Sequence, residues 1–419
     1  MGNLGFIRIS EKNINNSFLI SINNSSFQGF FQVKCVFCLE NIEEIVIFNS
    51  SFEDFNETEL FLMTSLTSIE ISSIYINNIT TTDINLGDFE SIINSITLNE
   101  ITINNSGFLN TFSISNTQNF YLNNSIILNI SLINTFITSV STIISLENCS
   151  FTMISCPNTL FSLETSAFAS ISDSSFTNIT EPDSFFTITS YTLFSLSNVL
   201  IKASISYEIF LMTNVLANIN TFLQVISNTF TDFFSQDHSC LNTELQSSSL
   251  VYNLISGRII ALLSINPIYF TTNNTFITNN NFTFFVMISM FMGLANLNNT
   301  VFSQDYFLNT DTYQYTFDFE MLNQLYVNNC VFDDLGVIEK KVYYTSKDNN
   351  VFFSIWSIII SSITNSIFIV SSKIDLVTGF LDCLPHGGIF ESLYNVYIIL
   401  DTMIMQGFSY YQYLQCDYE

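Results

Sequence analysis

Asn148-Cys149-Ser150-Phe151 is followed, 25 residues later, by Asp173-Ser174-Ser175-Phe176. The same phrase, in which Asn or Asp and one or two small residues lead to a phenylalanine, recurs along the chain and ends at Phe27, Phe52, Phe276, Phe302 and Phe332. A constant period of this length is typical of a solenoid, because each repeat buries its apolar face only against its neighbours. We therefore expect these phenylalanines to lie above one another in one interior column.

Short strands are predicted between the phrases. Residues 69–76 and 96–103 alternate β-branched with polar residues, and each run ends in paired asparagines. Such alternation indicates a strand with one buried face. Gly and Pro are scarce, at 12 and 4 residues. Asn, which tolerates the left-handed conformation and bonds nearby backbone, is therefore expected to form the turns and to bond the backbone or the Asn of the next coil.

The rest of the chain fits this period less regularly. The phrase is expected near residues 78–79, 104–108, 124–126 and 198–200. Asn228-Thr229-Phe230 comes a few residues late, and a polar insertion is expected from residue 235 to residue 249. The 46 residues from Phe230 to Phe276 are then interpreted as two short coils.

The sequence thus predicts an all-β chain folded as a single right-handed parallel β-helix, a solenoid with coils of about 25 residues. We expect residues 1–380 to form the parallel β-helix and residues 381–419 to form its last coil or a C-terminal cap. A cap is expected because the end of a solenoid otherwise exposes unpaired strand edges. The tyrosines of the cap would pack over the last coil; they are Tyr410, Tyr411 and Tyr413.

From about residue 10 to residue 370, the Asn-Ser-x-Phe coils resemble the right-handed parallel β-helices of the pectin-lyase-like superfamily. More narrowly, they are similar to polymorphic outer-membrane-protein repeats and to large surface β-helix proteins of ciliates. The resemblance implies a surface or extracellular protein, and it implies the fold more specifically than any activity. The chain departs from the larger proteins of this kind because it has no cysteine-rich module and no clear membrane anchor.

Composition excludes several classes of partner. Nine basic residues stand against 36 acidic ones, which gives a net charge of −27, and only 11% of the residues are charged. Nucleic-acid binding needs cations that displace counterions, so it is not expected. Anionic membrane surfaces and acidic polysaccharides are disfavoured for the same reason. The surface must consist largely of uncharged Asn, Ser and Thr.

The sequence does not decide whether its eight cysteines are free thiols, disulfides or metal ligands. Cys149 and Cys156 are close enough in sequence for a local bridge, and Cys35 and Cys38 have the spacing of a redox or zinc pair. A zinc site needs a second pair of ligands, and the chain holds only two histidines, His238 and His386. We expect buried thiols or ordinary disulfides, and no metal or cofactor.

One carboxylate constellation is an alternative that implies catalysis. Asn309-Thr310-Asp311 is followed one coil later by Asp333-Asp334 and then by His386-Gly387, an order similar to that of polygalacturonase-like β-helix hydrolases. If Asp311, Asp333 and Asp334 stacked on one face, they would supply a general acid and a base that activates water. The Arg-Ile-Lys motif of that family is absent, and His386 comes too late. The aspartates are therefore expected to be solvated turn residues, with no catalytic site.

Three further groups are expected to be structural. Arg258, Lys202 and Lys373 are too scattered for a β-helix lyase. A loop is expected to hold Asp232, Asp237 and His238 rather than a metal site, and Trp356 is expected to pack in the core rather than stack on a sugar.

Residues 351–370 are mostly apolar and long enough to span a membrane, but they contain several serines and the phrase Asn365-Ser366-Ile367-Phe368. Two β-helix strands are expected there instead. Roughly fourteen N-glycosylation acceptor sequences occur, about as many as this composition produces by chance. No signal peptide is recognised at the start of the chain, which is interpreted as beginning inside a repeat.

The functional expectation is a non-enzymatic surface or extracellular protein, a structural, adhesive or ligand-displaying rod. The alternatives are the carbohydrate-active hydrolase described above and a fragment of a membrane-anchored, receptor-like ectodomain. Partners would be other surface proteins or glycans, with no nucleic acid. Contact with a membrane would require a segment that this chain lacks.

Overall fold

The computed structural model describes residues 7–10, 19–29, 35–81, 83–180, 182–234, 240–256, 260–262, 268–282, 286–290, 293–303, 306–307, 315–319, 323–328, 331–333, 359–364, 367–370, 397–400 and 403–405. These residues form β-strands and turns and contain no helix. Neighbouring strands pair in parallel at intervals of about 25 residues, as Phe151 with Phe176. The predicted all-β parallel solenoid is confirmed.

Two compact units are distinguished, Met1–Leu216 and Ala217–Glu419, and each is described by itself. The strands of the first unit are Ile7–Ser10, Leu19–Asn23, Ser26–Gln28, Cys35–Glu40, Glu44–Glu53, Glu59–Thr64, Ser68–Asn77, Gly87–Glu90, Ser95–Ser115, Asn119–Asn123, Ile126–Val140, Ile143–Glu147, Ser150–Ser155, Thr159–Ser172, Ser175–Thr180, Ser184–Ser197, Leu200–Lys202 and Glu208–Thr213.

The remaining strands have at most seven residues; the first of them begins with the last two residues of the first unit, and the others belong to the second. They are Val215–Thr221, Gln224–Ile226, Thr229–Phe230, Asp232–Phe234, Cys240–Gln246, Ser249–Val251, Leu254–Ile255, Ile260–Leu262, Ile268–Asn273, Phe276–Thr278, Asn281–Phe282, Val286–Met290, Gly293–Asn298, Val301–Ser303, Tyr306–Phe307, Tyr315–Phe319, Asn323–Asn328, Val331–Asp333, Ile359–Thr364, Ile367–Val370, Tyr397–Leu400 and Met403–Met405.

The predicted interior column exists in the first unit. Its members pair in register from coil to coil and, apart from the half-buried Phe27, are at most 2% exposed. They are Phe27, Phe52, Ile76, Ile103, Ile127, Phe151, Phe176 and Ile201. The phenylalanines stack in pairs where they are adjacent, and isoleucine occupies the same position in the coils between. Like side chains thus lie above like side chains, as parallel pairing requires.

The expectation for Phe276 is wrong. Phe276 pairs with Val301 and is 51% exposed, whereas the next residue, Ile277, pairs with Phe302 and is buried. The phrase at Asn274 is one residue shorter than the others, and because side chains alternate between faces, a shift of one residue turns the phenylalanine outward. The inner column of the second unit holds Val225, Leu250, Ile277 and Phe302, and its backbone register continues to Phe332 and Phe368.

Left-handed residues form the turns, as expected of asparagine. The first turn of each coil in the first unit contains one such residue, at Asn24, Asn49, Ser73, Glu100, Asn124, Asn148, Asp173 and Asn198. Asn148 donates from its side-chain amide to Asn124 Oδ1 at 2.8 Å, and Asn124 donates to Asn99 Oδ1 at 2.9 Å. The predicted bonds between asparagines of successive coils are confirmed.

Small residues after the first turn bridge the coils from inside. The Ser174 hydroxyl is 3% exposed and accepts the backbone N–H of Cys149, in the preceding coil, at 3.0 Å. Ser125 does the same for the N–H of Ile101 at 3.1 Å. A serine is therefore favoured at this position of the phrase, because the buried backbone N–H of the preceding coil needs an acceptor.

The second unit corrects two further expectations. Cys240–Gln246 and Ser249–Val251 are regular strands, so the polar insertion expected from residue 235 does not extend over them. Asn228 belongs to a separate, buried asparagine column: the backbone N–H of Asn228 donates to Asn253 Oδ1, and that of Asn253 to Asn280 Oδ1, both at 3.0 Å. Phe230 consequently shares its register with Ile255, not with Phe276.

The two described parts of the apolar stretch 351–370 are strands, Ile359–Thr364 and Ile367–Val370, as predicted. They pair in parallel with Asn323–Asn328 and Val331–Asp333. Among the described residues, no helix is long and apolar enough to cross a membrane. Near the C-terminus, Tyr397–Leu400 adds a parallel strand and Met403–Met405 folds back antiparallel to it. The division into residues 1–380 and 381–419 stays a prediction.

Candidate functional site

A shallow, open groove of about 690 Å³ lies on the outer surface of the first unit, at the second turn of five successive coils. One wall is a column of short side chains that pair in register from coil to coil, namely Thr80, Gly107, Ser131, Ser155 and Thr180. With coils about 4.8 Å apart, four steps make the groove about 19 Å long. It runs along the solenoid axis.

The opposite rim consists of residues in the left-handed conformation, with φ between 48° and 54°: Asn105, Asn129, Met153 and Asn178. The Asn129 amide donates to Asn105 Oδ1 at 2.7 Å, so the rim is bonded across coils. Met153 is 47% exposed and is the one apolar side chain of the rim. Ser106, Ile130 and Ile154, which point inward between rim and wall, form the floor.

Gly107 widens the groove. The other members of its column carry hydroxyl side chains, and a Cβ at this position would lie 3.4 Å from the Ser131 carbonyl oxygen. Its φ is not in the left-handed region, so backbone strain does not explain the glycine. The absence of a side chain leaves backbone and neighbouring hydroxyls accessible at this level.

In the coils that precede the groove, the residues of the second turn include a charged side chain, that of Asp54. Asn78 donates to Asp54 Oδ1 at 2.7 Å, and Gln28 donates to Asp54 Oδ2 at 2.9 Å. These hydrogen bonds, that from Gln28 first, lower the pKa of Asp54. The groove itself is lined only by Asn, Ser, Thr, Gly, Ile and Met. It therefore offers amide and hydroxyl donors and acceptors beside the apolar side chains of Met153, Ile130 and Ile154, which suits a neutral, polyhydroxylated chain rather than an ion.

The structure describes one residue of the carboxylate constellation, so the expectation that these aspartates form no site stays a prediction. Asp333 is the last residue of the strand Val331–Asp333, where it pairs in register with Ser303. Asp311, Asp334 and His386 lie outside the described residues. The same holds for Asp237, His238, Arg258, Lys373, Trp356, Tyr410, Tyr411 and Tyr413.

The structure describes two of the residues that the sequence predicts to be structural rather than catalytic or metal-binding, Asp232 and Lys202. Asp232 is 2% exposed in the strand Asp232–Phe234, not in a loop as expected. Lys202 ends the strand Leu200–Lys202, with its side chain outward. Within the described ranges, no three His, Cys, Asp or Glu side chains group as metal ligands would.

Five of the eight cysteines lie among the described residues, namely Cys35, Cys38, Cys149, Cys156 and Cys240. Cys35 and Cys38 form a disulfide, with Cα atoms 5.8 Å apart. Cys149 and Cys156 are buried free thiols, so the local bridge between them is not formed. They occupy different columns: the Cys149 thiol donates to the Leu122 carbonyl and the Cys156 thiol to that of Asn134. Burial raises the pKa of Cys149 to about 11 and that of Cys156 to about 12.

The groove was not predicted from the sequence, although a signal for it is present. Asn78-Ile79-Thr80, Asn129-Ile130-Ser131 and Asn178-Ile179-Thr180 repeat a second phrase, Asn-Ile-hydroxyl, about every 50 residues. The sequence pattern predicts the Asn-Ser-x-Phe phrase near residues 78–79 and 104–108, whereas the structure places Asn78 and Asn105 at the second turn of their coils. Comparison with known proteins adds no assignment, since no protein-family model matches the chain and no curated protein matches it.

Proposed function

We propose that this chain is a non-enzymatic structural or adhesive protein of a cell surface or extracellular layer, and that it binds neutral glycans along the groove between Thr80 and Thr180. Membership of the right-handed, pectin-lyase-like β-helices is part of the same proposal. The supporting observation is a groove about 19 Å long whose lining carries hydroxyl and amide groups and no ionisable side chain.

The chemistry of the lining argues for binding without reaction. Hydrolysis of a glycosidic bond requires two carboxyl groups that flank it. The side chains that line the groove include neither Asp nor Glu, nor His, Cys or Lys. The amides of the rim and the hydroxyls of the wall offer hydrogen bonds along the groove, and Met153 offers an apolar contact for a sugar face.

The regular repeat favours an extended polymer over a compact ligand. Successive coils, about 4.8 Å apart, present a rim amide, a wall hydroxyl or both. A chain that lies along the axis can therefore repeat its contacts from Thr80 to Thr180, and affinity should increase with the number of sugar units until the groove is filled.

The test uses the purified full chain, produced in bacteria so that it carries no glycans. Neutral and acidic oligosaccharides are presented on a glycan array, and binding is then measured by calorimetry at two salt concentrations. We expect binding of neutral glycans that does not weaken with salt, because the groove has no charge to screen.

Gly107→Phe is the decisive variant, since its ring would fill the groove at one level while leaving the interior columns untouched. Leu200→Phe, on the outward side of the strand Leu200–Lys202 and away from the groove, is the matched control. Loss of binding in Gly107→Phe alone supports the proposal. Equal binding by both variants, or release of shortened sugars from any polysaccharide, would overturn it.

A further inference from the structure

The three Asn-Ile-hydroxyl phrases share a geometry that leaves the asparagine accessible at the surface. In each, Asn stands exposed in the left-handed turn, Ile is buried, and the hydroxyl side chain points outward again. The buried isoleucines, Ile79, Ile130 and Ile179, are at most 2% exposed. Asn-x-Ser/Thr is the acceptor sequence for N-linked glycans, and such glycans require a surface position.

Two other acceptor sequences hold a buried hydroxyl group with a structural role, whereas Asn49-Ser50-Ser51 and Asn148-Cys149-Ser150 combine an exposed left-handed Asn with an outward hydroxyl, as the three phrases do. In Asn104-Asn105-Ser106, the Ser106 hydroxyl is 5% exposed and accepts the backbone N–H of Ile79 at 3.1 Å. In Asn123-Asn124-Ser125, the hydroxyl is 1% exposed and accepts the N–H of Ile101. Thr80 and Ser131, by contrast, are exposed.

The spacing of the three sites is regular. Register pairing places Thr80, Ser131 and Thr180 in one column, with Gly107 and Ser155 at the levels between. Acceptors therefore occur at every second coil, about 10 Å apart. At the intervening levels the rim residue itself is not an acceptor, because Gly107 removes the hydroxyl after Asn105 and Met153 replaces the asparagine before Ser155.

We infer that Asn78, Asn129 and Asn178 are N-glycan acceptors that form one row, with Asn129 and Asn178 on the rim of the groove and Asn78 beside its end, and that these glycans, when present, regulate access to the groove. The regulatory part of this inference rests on the proposed function; the acceptor row does not. Glycans attached at every second coil would cover the groove and reduce its binding of free glycans.

The chemistry is a transfer without oxidation or reduction. The amide nitrogen of Asn attacks the anomeric carbon of a diphosphate-linked oligosaccharide donor, held by a separate transferase. The C–N bond forms, the C–O bond to the diphosphate breaks, the diphosphate leaves with the electron pair, and the nitrogen loses one proton. The product amide keeps one N–H, so a rim bond such as that from Asn129 to Asn105 still has a donor.

The test maps occupancy in the full chain secreted from eukaryotic cells behind an added signal peptide. Glycans are removed enzymatically in heavy-oxygen water, and the labelled asparagines are located by mass spectrometry. We expect label at Asn78, Asn129 and Asn178. Secreted protein in which these three are unlabelled would overturn the inference.

Variants in the same column give matched controls. Ser131→Ala should remove one glycan, whereas Ser155→Ala, one coil away, should leave the pattern unchanged. Met153→Asn completes the sequence Asn-Ile-Ser at an intervening level and should add one glycan. An unchanged glycan count in both Ser131→Ala and Met153→Asn would overturn the inference, and the occupancy map of the unaltered chain decides the matter if a variant is not secreted.

Regulation is measured by comparing the secreted chain with the triple variant Thr80→Ala, Ser131→Ala, Thr180→Ala made in the same cells. Binding of a free neutral oligosaccharide should be about tenfold weaker in the glycosylated chain. Equal binding by the glycosylated chain and the triple variant would overturn the regulatory role, but it would not affect the assignment of the three asparagines as acceptors. If neither bacterial nor secreted protein binds any glycan, the proposed function fails while the acceptor row stands.

Discussion

Phe151 and Phe176 stack face to face, with ring centroids 4.7 Å apart and planes inclined by 9°. They are paired in register between parallel strands, and both are fully buried. The separation of the rings matches the spacing of neighbouring parallel strands. The stack is thus a direct consequence of equal coil length, and it links the sequence period to the packing of the core.

Phe151→Ala should destabilise the first unit by about 3–5 kcal/mol, because it opens a cavity in a stack that cannot collapse without shifting whole coils. Urea unfolding followed by circular dichroism measures the change. Phe276→Ala is the control, since that ring is 51% exposed; its effect should stay within about 0.5 kcal/mol. If the two changes cost the same, the assignment of inward and outward positions is wrong.

Ser174→Ala should cost about 1–3 kcal/mol, because it removes the acceptor of a buried backbone N–H, that of Cys149. The neighbouring Ser175→Ala tests the same chemical change on the outer side of the strand. The Ser175 hydroxyl reaches only that of Ser150, at 3.5 Å, so little change is expected. A larger loss from Ser175→Ala than from Ser174→Ala in the same urea titration contradicts this account of the buried serines.

Met153→Asn, in protein from bacteria, should raise the stability of the first unit by about 1 kcal/mol. Met153 has φ 54°, a conformation that costs most side chains about 1–2 kcal/mol and that asparagine adopts more easily. Met153→Leu keeps the cost and should leave stability unchanged. The thermal unfolding midpoints of the three proteins give the comparison, and a midpoint for Met153→Asn at or below that of Met153→Leu speaks against left-handed strain.

Alkaline pH should destabilise the first unit through its buried thiols. The pKa of Cys149 rises from an ordinary 9.0 to about 11 on burial, so above pH 9 the unfolded chain loses a proton that the folded chain keeps. The stabilisation is therefore complete below about pH 9 and is lost progressively as pH rises through about 11. Unfolding free energies measured from pH 8 to 11 test this dependence.

Cys149→Ser is the matched variant for the pH series, because Ser125 and Ser174 occupy the same column position in the neighbouring coils. It should show a shallower loss of stability over that range. A thiol reagent at pH 8 should also leave Cys149 and Cys156 unmodified until denaturant is added. Rapid labelling of the folded protein would show that these thiols are accessible.

Much of the architecture could be predicted because a solenoid translates a linear period directly into stacking. The column through Phe27, Phe52, Phe151 and Phe176 follows from equal spacing alone. The period fails where the number of residues between turn and strand changes by one. At Phe276 the composition of the phrase is unchanged, but the alternation of faces reverses its orientation.

The groove was harder to predict because it depends on differences between columns rather than on the repeat itself. Asn105 and Asn148 have the same residue type and the same left-handed conformation. Only the register of neighbouring coils decides that Asn105 lines the groove, while Asn148 joins the hydrogen-bonded asparagines of the first turn. The cysteines illustrate the same point, since Cys149 and Cys156 are near in sequence but turn into separate columns.

The sequence by itself determined the coil length, the strand character and the residues that turn the chain, because these depend on local periodicity and on the conformations that each residue tolerates. The tertiary structure alone decided which asparagine, serine or phenylalanine faces inward and which columns meet at the surface. The physical reason is that a β-strand reverses its side-chain direction at every residue, so a site made of several coils depends on the register of each of them.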